Sequence, residues 1–334
     1  MEIYIPAVPL FVSVASGLIG TGDESRFEVV LQAGSGSTAL VDAFELDHRL
    51  TSSGIWTTVT IPVAAAGVSI DAYDVSDEIE FRARALANTT PGDYTAVATL
   101  IIGEDDPAIP AALDDAGISA TGSLGHATLI VAVPEADAPT QLQIYRVPTG
   151  NPLDRDTHAV GSRLAVSAGS TLSYVDGDGT RTNLLTSPDF NSADGWDEGG
   201  GWIIAGGEAT YTPGDSGNLS QDLSLTSGVT YRIAFEVTDF VAGTVRPRLN
   251  GGTKVYGTTI MDFGVYFDRL TALPGNDALK IFADDAFDAS LAFFLLFAET
   301  SNCVDAGGWD YYVEPLNDEN IAGPASGPFS TTIY

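Results

Sequence analysis

Apolar and polar residues alternate along most of this chain, and glycine, proline, Asn and Asp break the alternation roughly every eight to twelve residues. Helical spacing is almost absent. Neighbouring side chains on a strand point to opposite faces, so this alternation describes strands with one face in a core. It predicts a strand over Arg26–Ala33 with Phe27, Val29 and Leu31 inward, and one over Phe44–Leu50 with Phe44, Leu46 and His48 together. Trp56–Val63 follows a Ser-Gly turn. Glu80–Leu86 turns Phe81, Ala83 and Ala85 inward and Arg82 and Arg84 outward, and Tyr94–Ile102 closes the series. The apolar leader MEIYIPAVPLFVSVASG leads into a first strand. Asp105–Pro110, with two prolines and two acids, reads as a stiff, solvated linker.

A second series follows from about Asp106: strands over Ala127–Pro134, Gln141–Arg146 with Leu142 and Ile144 inward, Arg163–Ala168 and Leu172–Val175. After the turn Asp176–Thr180 the next strand of a small sandwich is missing. Its equivalent comes more than a hundred residues later, at Trp309–Leu316 with Tyr311 and Val313 on one face, and Gly327–Tyr334 follows as a last strand. Pro315 removes one ladder donor and predicts a bulge or a sheet edge. The interposed residues have their own pattern, with Tyr231, Ile233, Phe235 and Val237 inward and Arg232 and Glu236 outward. The expected domains are therefore 1–104, then 105–181 together with 303–334, and an inserted unit over 182–302.

Charge narrows the function classes. Asp plus Glu number 45 against 14 Lys plus Arg, a formal net charge of −31, and the only lysines are Lys254 and Lys280. Such a surface opposes phosphate-mediated nucleic-acid binding and an anionic membrane, and it suits a salty medium. The single cysteine, Cys303, rules out an intrachain disulfide and a cysteine-based zinc site, and reads as a small buried residue. Leu291–Phe297 is apolar throughout but has the length of a buried strand, not of a membrane span. Glu2, Pro6 and Pro9, with no preceding Lys or Arg, argue against a signal peptide. If the protein acts outside its cell, release by lysis or within an assembled particle is expected.

The penultimate-strand residues Tyr311-x-Val313 and Phe81-x-Ala83-x-Ala85, each followed by a polar turn and a final strand, resemble fibronectin type III domains over most of 1–182 and 303–334. The stretches NLLTSPDFNSADGW, NLSQDLSLTSGVTYRIAFEVTDF and GTVRPRLNGG are similar to jelly-roll carbohydrate-binding modules. The terminal LAFFLLF replaces an Asp or Asn usual in such modules. That argues against a calcium site there and predicts a last strand covered on both faces. These resemblances imply an all-β protein of two fibronectin III-like sandwiches, with a jelly-roll sandwich inserted into the second.

This combination resembles the distal part of tail-tip, host-specificity or tail-fibre proteins of siphophages and gene transfer agents. The resemblance implies a non-enzymatic virion protein, extracellular on the tail. Its partners would be a tail-tip hub or other tail proteins and a host-surface glycan, in a homotrimer where the tip is threefold. No cofactor is implied beyond a structural calcium ion.

Sugar recognition needs aromatic platforms and clustered polar groups. Strand Thr244–Asn250 sets Val245, Pro247 and Leu249 on one side and Arg246, Arg248 and Asn250 on the other, with Tyr256 in the following glycine-rich loop. This set, with Trp202, is the expected glycan site, acidic glycans included; the bland alternative is a solvated basic sheet face, with Trp196 and Trp202 in the core. Asp176 and Asp178 in a DGDGT turn, and Asp189, are the candidate calcium ligands, although Ser187 stands where a calcium loop needs Glu. His48, His126 and His158 are scattered, and Asp114-Asp115 and Asp284-Asp285 would point to opposite faces of a strand, so catalysis finds no constellation. A ligand-free structural spacer and a polysaccharide-degrading enzyme are the rival readings.

Overall fold

The computed structural model describes residues 4–16, 27–34, 40–65, 67–103, 109–177, 179 and 181–334. The protein is all-β, and its sheet pairings are antiparallel. Chain contacts divide it into two compact units. One holds Met1–Ala120, Leu129–Tyr174 and Trp309–Thr331, and the other holds Thr121–Thr128, Val175–Gly308 and Thr332–Tyr334.

The first strands are β1 (Leu10–Ala15), β2 (Phe27–Gln32), β3 (Ala43–Leu50), β4 (Thr57–Pro62), β5 (Gly67–Ile70), β6 (Glu78–Ala87), β7 (Thr90–Pro91) and β8 (Ala98–Ile101). Strands β1, β2 and β5 form one sheet. Strands β4, β3, β6 and β7 form another, with β8 also on β6. Phe27, Val29, Leu31, Phe44, Leu46, Phe81, Ala83 and Ala85 are buried in one core, as the alternation predicts. The outward face of β3 and β6 is charged in matched pairs. Glu45 lies opposite Arg84, Asp47 opposite Arg82, and Arg49 opposite Glu80, at 2.6, 3.1 and 2.6 Å. Trp56 and Tyr94 stack between these guanidiniums, with Arg82 standing 3.9 Å from the Tyr94 ring centre. Opposite charges across a strand pair and cation–π contacts both stabilise a sheet.

Next come β9 (Ile118–Gly122), β10 (Ala127–Ala132), β11 (Gln141–Pro148), β12 (Leu164–Ala165) and β13 (Thr171–Asp176). The closing strands, β24 (Gly307–Leu316) and β25 (Ser326–Ile333), complete a sheet of order β12-β11-β24-β25. Gln141 pairs with Leu316 and Pro148 with Trp309 in unbroken register. Leu142 faces Pro315 without a bulge, and β24 lies between β11 and β25. Pro315 is therefore neither at an edge nor at a bulge on the β11 side, contrary to the expectation from its missing N–H. The strand expected over Arg163–Ala168 shrinks to Leu164–Ala165.

Buried Asp310 on β24 accepts hydrogen bonds from Ser330 Oγ (2.6 Å), Gly150 N–H (3.1 Å) and Thr149 Oγ1 (3.3 Å). Burial alone would raise its pKa, but these donors outweigh burial and hold it below the ordinary 3.8. A carboxylate lowered on folding stabilises fully above its unfolded value and loses that contribution as pH falls through its folded value. The urea midpoint should therefore hold from pH 7 to 5 and drop below about pH 4. Asp310→Asn should cost about 1–3 kcal/mol at pH 7, and the gap to wild type should narrow in acid.

The interposed residues form β14 (Asp197–Glu198), β15 (Trp202–Ala205), β16 (Glu208–Tyr211), β17 (Gly217–Asp222), β18 (Thr230–Ala242), β19 (Val245–Asn250), β20 (Val255–Tyr256), β21 (Gly264–Thr271), β22 (Ala278–Ala283) and β23 (Asp288–Ala298). Among the described residues they make two five-stranded sheets, β14-β17-β22-β19-β20 and β15-β16-β23-β18-β21. The inward faces bury Tyr231, Ile233, Phe235, Val237, Val245, Leu249, Phe294 and Leu296 in one core. At the start and end of this stretch, Arg181 donates to Thr300 Oγ1. Strand β23 is covered on both faces, as its composition predicts. Phe297 is fully buried on the side away from that core, and Phe293 meets Tyr334 edge-on at 5.5 Å.

Candidate functional site

Strand β19 carries the expected binding residues. Val245, Pro247 and Leu249 are buried, while Arg246, Arg248 and Asn250 are half-exposed on the outer face. Two turns aim this strand. Gly243, with φ +79°, precedes it at the hairpin from β18, where a Cβ would lie 2.2 Å from Phe287 N; only glycine fits there. After it, buried Asn276 donates to Gly251 O and Thr253 O (2.5 and 2.8 Å) and ties down the next turn. That turn returns the chain as β20, with Tyr256 opposite Arg248, and Gly257 N–H bonds Pro247 O at 2.9 Å.

Register then defines the rest of the face. Arg246 lies opposite Phe282, Arg248 opposite Lys280 and Asn250 opposite Ala278 on β22. These in turn lie opposite Asn218, Ser220 and Asp222 on β17, with Asp197 beyond Ser220. Opposite residues share a face, so Tyr256, Arg246, Arg248, Asn250, Lys280, Phe282 and Asn218 form one surface, with Asp222 and Asp197 at its margin. Tyr256 is 48% exposed, and the Arg246 guanidinium stands 4.4 Å from its ring centre. Arg248 leans over Phe282 (5.6 Å) and donates to Asn218 Oδ1 at 2.8 Å. Its Nε has no hydrogen-bond partner.

Trp202 does not belong to this surface. It is 3% exposed, packed on Tyr211 (5.1 Å) and Phe287 (6.0 Å). Its place on β15 turns the indole into the sandwich, which corrects its assignment to the glycan site. Trp196 is buried as well, against Phe190 at 5.3 Å. Lys280 and Phe282 were not foreseen; the alternation of ALKIFA could have placed both outward, but not opposite Arg248.

The calcium candidates are Asp176, Asp178 and Asp189. Asp176 is buried at the end of β13, and Asp178 lies outside the described residues. Asp189 spends its oxygens on the Asn191 backbone and side-chain amides. No group of three His, Cys, Asp or Glu able to hold a metal occurs among the described residues. The histidines stay apart: Tyr73 OH lies 2.5 Å from His48 Nδ1, and the Asp154 amide donates to His158 Nδ1 at 3.0 Å. Burial lowers the pKa of His48 against the opposing charge of Asp47. Cys303 is half-buried, with Thr300 N–H 3.4 Å from its sulfur.

A cleft of about 580 Å³ lies away from β19, between Thr230, Arg269, Glu299, Cys303 and Asp305. Its charges are already spent on one another. Arg269 reaches Glu299 at 2.9 Å and Asp305 at 2.6 Å.

No family model matches the sequence, and no curated protein matches it. Solved structures that it resembles include the carbohydrate-binding module TmCBM61 in complex with β-1,4-galactotriose. That likeness is at 20% identity over 35% of this chain and 99% of that one, with a TM-score of 0.28. A mutant family 29 carbohydrate-binding module complexed with cellulohexaose matches at 19% identity over 36% of this chain and 90% of its own, TM-score 0.27. The twitchin kinase region from C. elegans matches at 17% identity over 31% of this chain and 18% of its own, TM-score 0.24.

Proposed function

We propose that this chain is a structural protein of a phage or gene-transfer-agent tail tip or tail fibre, and that the outer face of β19, β20 and β22 binds host-surface glycan. The carrying observation is that face itself. It sets Tyr256, Arg246, Arg248, Asn250, Lys280 and Asn218 side by side on strand backbone, so their spacing is held before any ligand arrives. Guanidinium, amide and ammonium groups match sugar hydroxyls and carboxylates, and Tyr256 offers a ring edge or face to sugar C–H groups. The fibronectin III-like reading of 1–104 and of 105–181 with 303–334, and the carbohydrate-binding reading of 182–302, belong to this proposal. So do the extracellular virion location, the hub-facing role of the first domain and a trimeric tip. Many copies on one particle add through avidity, so each site can be as weak as about millimolar.

The test is binding of the full chain to an array of bacterial surface polysaccharides, alone and as Tyr256→Ala. The expected outcome is binding that Tyr256→Ala weakens roughly fivefold, about 1 kcal/mol, with an unchanged urea midpoint. A folded chain that binds no polysaccharide favours the ligand-free spacer. Release of reducing sugar from the same substrates would replace the reading with a polysaccharide-degrading enzyme.

A further inference from the structure

In a chain of net charge −31, the strand pairs among the described residues differ in how their cations are matched. On β3 and β6 every arginine faces an acid across the strand pair. On β18 and β21, Arg232 lies opposite Arg269, and Glu299 bridges the two guanidiniums. On β19 and β22, Arg248 lies directly opposite Lys280, and among the described residues no ion pair joins either to a carboxylate. Like charges directly opposite one another destabilise a sheet. Arg246 is two residues along the same strand face, and Lys254, the chain's other lysine, precedes β20. None of these four cations has an ion-pair partner among the described residues. Four of the 14 basic residues thus gather at one corner, uncompensated, although acids outnumber bases by 45 to 14.

The geometry points to an acidic polysaccharide as the ligand of this face, and we propose that its carboxylate or sulfate groups supply the counter-charge that Arg246, Arg248 and Lys280 lack; this rests on the glycan-binding reading above. Strands lie about 4.8 Å apart and residues of one face about 6.8 Å apart along a strand. The three cations therefore span the width of a sugar ring with its charged substituent. Arg246 on the Tyr256 ring sets a cation beside the stacking surface. Asp222 and Asp197 at the margin repel a polyanion that strays from the corner. The remaining surface is acidic, which disfavours a long polyanion such as nucleic acid that needs an extended basic track.

The experiment is titration calorimetry of the full chain with polygalacturonate, a sulfated glycosaminoglycan, dextran, an uncharged galactan and single-stranded DNA, each at 50 and 300 mM salt. The expected result is that an acidic polysaccharide binds at least tenfold more tightly than the uncharged ones, and more weakly at high salt. Arg248→Gln with Lys280→Gln should lower that affinity at least tenfold, whereas Arg84→Gln, on β6, should leave it unchanged. Lys280→Glu should abolish binding and raise the melting temperature, because it turns a repulsive cross-strand pair into an attractive one. Equal, salt-independent binding of charged and uncharged glycans would overturn the acidic ligand but keep the glycan site. Binding of no polysaccharide would overturn both. Single-stranded DNA binding as tightly as the acidic glycans would overturn the proposal in favour of a general polyanion site, and a fall in melting temperature for Lys280→Glu would remove its energetic argument.

Discussion

Glu314→Ala lowers the stability of the unit built on β11 and β24 by about 3–5 kcal/mol, seen as a lower urea midpoint at unchanged slope. Glu314 is 1% exposed. Its carboxylate takes a hydrogen bond from Tyr145 OH at 2.7 Å and from Arg155 Nε at 2.6 Å. Removing it strands a largely buried guanidinium and a buried phenol, neither of which can turn to water. Glu314→Gln keeps the shape and an acceptor oxygen, so its cost is nearer 1–2 kcal/mol, roughly that of replacing a charge-assisted bond by a neutral one. The same cluster governs behaviour in alkali. Burial first, then the charge of Glu314 and the bond donated to it, raise the Tyr145 pKa above its usual 10. The folded state therefore keeps the phenol neutral while the unfolded chain ionises. Stability from this group is full below pH 10 and declines as pH rises above it. Tyr145→Phe should lose that alkaline decline.

Arg232→Ala should cost about 3 kcal/mol in the other unit, measured the same way. Arg232 is 2% exposed, although alternation puts it on the outer face of β18. It donates through Nη2 and Nε to Glu299 Oε1, at 2.6 and 3.1 Å, and through Nη1 to the Val304 carbonyl. Truncation leaves a void and an unpaired carbonyl. Glu299 keeps Arg269, which places the loss at the low end of the range for broken buried pairs. Lysine should not rescue, because an ammonium cannot hold the carboxylate and the carbonyl in the planar fork of a guanidinium. Arg269→Ala, at a half-exposed site, should cost less than 1 kcal/mol.

Much of the strand content was legible because period two is a direct consequence of the pleat. Phe44–Leu50, Glu80–Leu86, Gln141–Arg146 and Trp309–Leu316 all lie within observed strands and bury the faces their alternation indicates. The β19 face was legible on the same ground: VRPRLN can put its arginines only on the side opposite Val245 and Leu249. Alternation says which side a residue takes, however, and not what covers that side. Arg232 and Arg246 carry the same signal, yet one is enclosed by Glu299 and Val304 and the other stays half-exposed. For Trp202 the likeness to carbohydrate-binding modules already favoured the core over a sugar platform, and the buried indole agrees. Pro315 misled because a missing donor matters only where the ladder needs one.

Local pattern by itself determined that this is a β protein, which faces of its strands are apolar, and that a strand missing from the second series recurs far along the chain. Those properties follow from covalent alternation and from the need to bury apolar area, and both are present in the order of residues. Tertiary structure alone decided that Lys280 stands opposite Arg248, that Glu314 is sealed under Tyr145 and Arg155, and that Arg232 is covered. Each depends on register between strands distant in sequence, where a shift of one residue would send every side chain to the opposite face.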